Sequence, residues 1–235
     1  MNIQAKWDAF WRVFWVNGGY EKVLTEGLKN TLYIAVTGLI IGTVIGTLIA
    51  AVKVMPKYKT LPKILNSVCS VYVGFFRGTP IVVQLLLAYY VIFPLIGINL
   101  GSLNTCVLIF GLNSGAYVSE IMRAGILSVD NGQMEAGRAV GLSYGATMMK
   151  IVVPQAVKNI LPTMGNEFIA LVKDTSVVSF VAATDLYKVF TEFGNENYEY
   201  IFPYLAMAII YIIVIMLITL LFKLIEKWMH RSDRA

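Results

Sequence analysis

Histidine is almost absent from this chain: His230 is the single one in 235 residues, and it sits in a basic tail. A Ser–His–Asp arrangement or a histidine-based metal cluster therefore has nothing to assemble from. No G-x-x-x-x-G-K-[ST] loop occurs, which excludes nucleotide binding in the P-loop manner. No catalytic residue, metal site or bound cofactor is expected. The two cysteines, Cys69 and Cys106, sit in or near separate hydrophobic segments and read as buried thiols, not as a disulfide framework. Charge is scarce as well, at 14% of residues. A basic n-region followed by a small-residue cleavage site is also missing, so no removable signal peptide is expected. What remains open on the enzymatic side is an unusual intramembrane enzyme, with Glu120, Glu167 and Asp174 as its available groups.

Apolar residues fill the space that charge leaves. They make up 57% of the chain, and mean hydropathy is +0.70. The excess is gathered into runs near the ~20 residues that a helix needs to cross a bilayer. The strict alternation of a membrane barrel is absent, so an all-α membrane protein is expected. Five transmembrane helices are read at about 31–53, 78–97, 102–122, 160–182 and 202–224. Glu167, Lys173 and Asp174 interrupt the fourth, and the fifth is the most apolar.

Cations mark one side. Lys53, Lys57, Lys59 and Lys63 follow the first span. Arg123, Arg138, Lys150 and Lys158 follow the third, and Lys223, Lys227, Arg231 and Arg234 follow the fifth. The three clusters share a side only if the span count is odd. The positive-inside rule then predicts an N-terminus outside and a cytoplasmic C-terminus. The net charge of +5 reads as topology, and no nucleic-acid partner is expected.

Three local patterns refine this picture. In residues 1–28, Trp7, Phe10, Trp11, Phe14 and Trp15 gather on one helical face, as in an amphipathic segment lying at the outer interface or packed on a neighbouring helix. Gly38, Gly42 and Gly46 form small-xxx-small steps, open to packing within the subunit or to a dimer contact. Residues 61–94 are too long for one untilted span at ~1.5 Å per residue. A break at Arg77-Gly78-Thr79-Pro80 resolves this, with Arg77 at the boundary in a structural role or touching ligand, and Pro80 starting the span.

The interval 128–162 is polar and Gly-bearing, yet Met134, Ala139, Leu142, Met148, Ile151 and Val152 recur at near-helical spacing. A short amphipathic helix between spans is suited to press on a partner. In the fourth span, Glu167 and Asp174 are seven apart and share a face. Acids inside a span face a cavity or a partner charge, here Lys173 or Arg123.

These residues carry a family resemblance. Phe76-Arg77-Gly78-Thr79-Pro80 with Gln84 resembles the F-R-G-T-P-x-x-x-Q segment of bacterial ABC importer permeases for polar amino acids. Tyr117-Val118-Ser119-Glu120-Ile121 and Arg123-Ala124-Gly125-Ile126 resemble the ending of its third span. Gly132-Gln133-Met134-Glu135-Ala136 with Gly141, and then Leu161-Pro162, resembles its EAA loop. Asn166-Glu167-Phe168-Ile169 and Lys173-Asp174-Thr175-Ser176 resemble its fourth-span signature. The departures are small: Gly137 follows Ala136, and Val153-Pro154 replaces the commoner Leu-Pro.

The resemblance implies a type I ABC importer permease fold over residues 29–235 and a multi-pass place in the bacterial inner membrane. It implies a second permease subunit (a copy or a sister), two ATPase subunits carrying ATP and Mg, and a solute-binding protein. ATP hydrolysis would then belong to the partner, not to this chain. It implies an ATPase-coupling role for Gln133, Glu135, Ala136, Gly137 and Gly141. It implies a substrate path through Asn166, Glu167, Asp174, Thr175 and Ser176, with Arg77, Gly78, Pro80, Glu120 and Arg123 structural or gating. The paired acids lean toward a basic amino acid. A neutral polar one such as glutamine, or cystine, is the alternative, and an ATP-independent channel is the rival of another class.

Overall fold

The computed structural model describes residues 2–55, 58 and 60–229. Lys57, Lys59, His230, Arg231 and Arg234, used above in reading the charge pattern and the tail, lie outside the described residues. Among the described residues the chain is mostly helical and contains no strand. The helices are α1 (Ile3–Trp11), α2 (Gly19–Lys22), α3 (Lys29–Val54), α4 (Thr60–Gly78), α5 (Ile81–Leu87), α6 (Phe93–Leu95), α7 (Gly101–Leu127), α8 (Asn131–Ala139), α9 (Tyr144–Thr147), α10 (Val153–Asp174), α11 (Leu186–Asn197) and α12 (Ile201–Met229). Wider π-type turns join several of them, and a 3-10 turn, Thr175–Val181, extends α10.

By length and apolarity, three helices can cross a membrane: Gly19–Val54, Gly101–Leu127 and Ile201–Met229. The pair Thr60–Gly78 and Ile81–Leu95 is bent by 104° and makes a fourth if it acts as one broken span. The bend falls at the expected Gly78-Thr79-Pro80 break. Pro80 has extended backbone and caps α5, where its missing N–H costs nothing. Helix α10 is 22 residues long and is not among these, since Gln155, Lys158, Asn159, Asn166 and Glu167 make it too polar. The helix from Gly19 runs on into α3 without a break, so the boundary expected at residue 28 lies inside a continuous helix.

The glycine stripe holds the centre together. Gly38, Gly42 and Gly46 press on Phe110, Ser114 and Val118 of α7. A Cβ on Gly42 would lie 2.6 Å from Ser114 Oγ, closer than real side chains approach. The stripe therefore serves packing within the subunit. Its contacts advance in step along both chains, so α3 and α7 run parallel. Helix α10 runs antiparallel to α7, since Ile160 meets Gly125 and Glu167 meets Ser114. Helix α12 runs antiparallel to α10, where Phe222 covers Gly165 and Ile218 joins the same core as Phe168 and Leu171. The parallel pair brings two cationic ends together: Lys53 and Arg123 both pair with Glu120, Arg123 at 2.8 Å.

The N-terminal aromatic face is divided by packing. Phe10 and Phe14 turn inward onto Phe190, Phe193 and Phe202. Trp7, Trp11 and Trp15 stack along the outer side, about half exposed. Ion pairs Lys6–Glu199 (2.8 Å) and Lys22–Glu192 (2.7 Å) fasten this segment to α11 and the start of α12. Cys69 and Cys106 are free thiols.

Candidate functional site

The site begins with the broken helix. At its elbow the chain turns away from α4, and α5 sets off beside α7. Gln84 and Asn113, polar residues within otherwise apolar helices, meet there, Asn113 Nδ2 donating to Gln84 Oε1 at 3.0 Å. At the next residue of α7, Ser114 Oγ donates to Glu167 on α10 at 2.9 Å. Burying a carboxylate between helices is costly without a donor, and Ser114 supplies one.

These elements enclose a cavity of about 410 Å³ lined by Thr79, Pro80, Asn113, Tyr117, Glu167 and Asp174 among others. The two acids face one space because seven residues are close to two helical turns. Two residues of the Arg-Gly-Thr-Pro elbow form one wall. Arg77 sits behind it, 5.3 Å from the ring centre of Tyr117, a cation–π contact that ties the elbow to α7. Gly78 is exposed beside it, at the end of α4.

The remaining expected path residues are placed elsewhere. Asn166 is exposed, and Thr175 is fully buried with its hydroxyl donating to Val172 O at 2.8 Å. Ser176 is half-buried in the 3-10 turn. Neither Thr175 nor Ser176 lines the cavity. Arg123 pairs with Glu120, so it is not the partner of Glu167. Asn113 and Ser114 lie outside the motifs of the sequence, and their one local signal is an Asn-Ser pair in mid-span.

The interval 128–162 folds back on itself. Asp130 caps α8 by accepting from Gly132 N at 2.6 Å, and Ser143 caps α9 by accepting from Ala146 N at 3.3 Å. Met134, Met148 and Val152 turn inward onto Val129, Ala156 and Ile160. Gln133, Glu135 and Ala136 stay exposed, and Val140 is 78% exposed. Gln133 Oε1 also accepts from Gln155 at 3.2 Å. The two glycines divide the work expected of them. Gly137 is the close approach, with Thr147 against it inside this subunit. Gly141 is the turn, at φ +89°, which favours glycine.

Apolar helices around a charged cavity, with an amphipathic helix exposed at one end, define a membrane transport protein. Residues 42–231 match the family described as binding-protein-dependent transport system inner membrane component, and the chain belongs to that family. It is 39% identical over 212 residues to a putative glutamine transport system permease of Rickettsia typhi, covering 89% of this chain and 95% of the relative. It is 35% identical over 210 residues to the arginine transport system permease of Bacillus subtilis, covering 89% and 94%. Among solved structures, the crystal structure of an amino acid ABC transporter with histidines superposes with a TM-score of 0.82 at 36% identity, covering 91% of this chain and 97% of that one.

Proposed function

We propose that this chain is the permease subunit of an ATP-driven importer of polar amino acids, and that the cavity between α5, α7 and α10 is part of the solute route. The observation that carries the reading is the pairing of Glu167 and Asp174 on one cavity wall opposite Asn113 and Tyr117, in a chain of this transport family. Two carboxylates favour a ligand bearing more than one positive N–H group, hence a basic amino acid. The glutamine-system relative keeps a neutral polar amino acid as the second reading.

In this reading five segments cross the membrane: α3, the bent pair α4 to α6, α7, α10 and α12. The N-terminus is outside and the C-terminus cytoplasmic. The antiparallel and parallel contacts described above agree with an odd number of crossings, since the Lys53 and Arg123 ends lie together. Helix α8 then faces the cytoplasm, where Glu135, Ala136 and the apolar Val140 meet a separate ATPase that carries ATP and Mg. Two such ATPases, a second permease subunit and a solute-binding protein complete the assembly.

The test is reconstitution. In proteoliposomes holding this chain, its ATPase and its binding protein, labelled amino acid should accumulate only with ATP. Uptake that proceeds equally without ATP would make the chain a channel.

A further inference from the structure

Gln84 is 5% exposed and sits at the start of the second arm of the broken span, just past the elbow at residues 76–80. The two N–H groups of its Nε2 are shared among three acceptors, Phe76 O (2.9 Å), Thr79 O (3.0 Å) and Thr79 Oγ1 (2.8 Å). These acceptors belong to the last turn of α4 and the break itself, where the helix leaves carbonyls without intrahelical partners. The Thr79 hydroxyl spends its proton on Phe75 O at 2.8 Å, so it too is an acceptor toward Gln84. One side chain thus satisfies the frayed end that the 104° bend creates.

The same contacts fix which way a second amide points. Backbone carbonyls only accept, so the Gln84 nitrogen must face Phe76 and Thr79, and its oxygen must face Asn113. Asn113 must then answer with its nitrogen. Its Nδ2 donates to Gln84 Oε1 at 3.0 Å and to Phe76 O at 3.3 Å. Both donors of Asn113 are committed, one to Gln84 and one to the elbow, and its carbonyl oxygen is left for the cavity that Asn113 lines. We propose that Gln84 is a positioning residue: it clamps the elbow and turns the Asn113 carbonyl into the cavity as a third acceptor beside Glu167 and Asp174. This rests on the cavity being a solute route, and it sharpens the ligand chemistry to a group with several N–H donors.

The test is a thermal-unfolding cycle on the full-length chain in lipid nanodiscs at pH 8, with arginine binding measured on the same samples. Asn113→Asp replaces the donor by an acceptor facing Gln84 Oε1 and Phe76 O. It should melt several degrees below Asn113→Ala, and that extra deficit should shrink by more than half in a Gln84→Met background. An Asn113→Asp variant as stable as the native chain would overturn the orientation. A deficit unchanged in the Gln84→Met background would assign it to repulsion from Glu167 and Asp174 and overturn the clamp. Gln84→Met and Asn113→Ala should each weaken arginine binding by roughly tenfold, as for one lost hydrogen bond to a charged group. Combining them should weaken it little further, whereas additive losses would contradict a shared role. If the native chain binds no amino acid, the solute-route reading fails while the melting cycle still decides the clamp.

Discussion

Lys53 at the end of α3 and Glu120 near the end of α7 form an ion pair between residues 67 apart, and Arg123 closes on the same carboxylate. The pair is mostly screened from solvent, with side chains 12% and 19% exposed. It can form only because the small-residue stripe lets α3 and α7 lie parallel and close. That parallel run is the geometric root of the proposed topology, since the chain between them must cross back.

The topology reading predicts that Asn195 and Ser232 lie on opposite sides. Single cysteines at these positions, in a background without Cys69 and Cys106, are exposed to an impermeant thiol reagent outside sealed cells. Asn195→Cys should label and Ser232→Cys should not. Labelling of both would contradict five crossings.

Packing of α3 on α7 predicts a steep steric cost at Gly42. A Leu there drives a branched side chain into Ser114, and overpacking of a tight contact costs about 1–3 kcal/mol or more. Gly42→Leu should lower the unfolding midpoint clearly, while Gly74→Leu, where a Cβ meets open space, should change it little. Equal midpoints for the two would remove the stripe from the structural account.

The exposed face of α8 predicts a coupling defect without a folding defect. Glu135→Lys reverses an exposed charge and leaves the inward contacts of Met134 and Gly137 alone. The variant should insert and melt normally but retain less ATPase on purification. Full retention with normal uptake would count against α8 as the docking element.

The N-terminal tether predicts a response to acid. The Lys6 ammonium, hydrogen-bonded to Glu199, holds that carboxyl below its ordinary value. A lowered folded value means stabilisation that is present above the unfolded value and lost as pH falls through the folded one. The tether should therefore hold through the ordinary glutamate range and release only in more acid solution, changing the fluorescence of Trp7 and Trp11. Glu199→Gln should remove the pH dependence, and an unchanged acid transition in that variant would place it elsewhere.

Much of this architecture is readable from the chain alone, and the exceptions share a cause. The Gly38 stripe, the elbow at Pro80 and the seven-residue spacing of Glu167 and Asp174 are local signals, each with a local geometric meaning. Asn113 and Ser114 are not, because an isolated polar pair in an apolar helix acquires a role only when Gln84 and Glu167 arrive from other helices. Helix α10 begins at Val153, earlier than the apolar run at about 160, since its first turns are amphipathic and gain their buried face from Val129 and Gly125. Gly137 illustrates the same limit: its sequence neighbours suggest a partner surface, whereas its close contact is Thr147 of the same subunit.

The most direct test of the central claim is ATP-driven uptake of arginine and of glutamine in proteoliposomes carrying either the native chain or Glu167→Gln. The substitution keeps size and hydrogen-bonding capacity and removes one charge from the cavity. A charge-assisted hydrogen bond is worth about 1.5–3 kcal/mol, so arginine uptake should fall by roughly tenfold or more, with glutamine uptake and the melting temperature little changed. Equal loss for both solutes together with a lower melting temperature would make Glu167 a structural residue and contradict the cavity as the site that reads the solute.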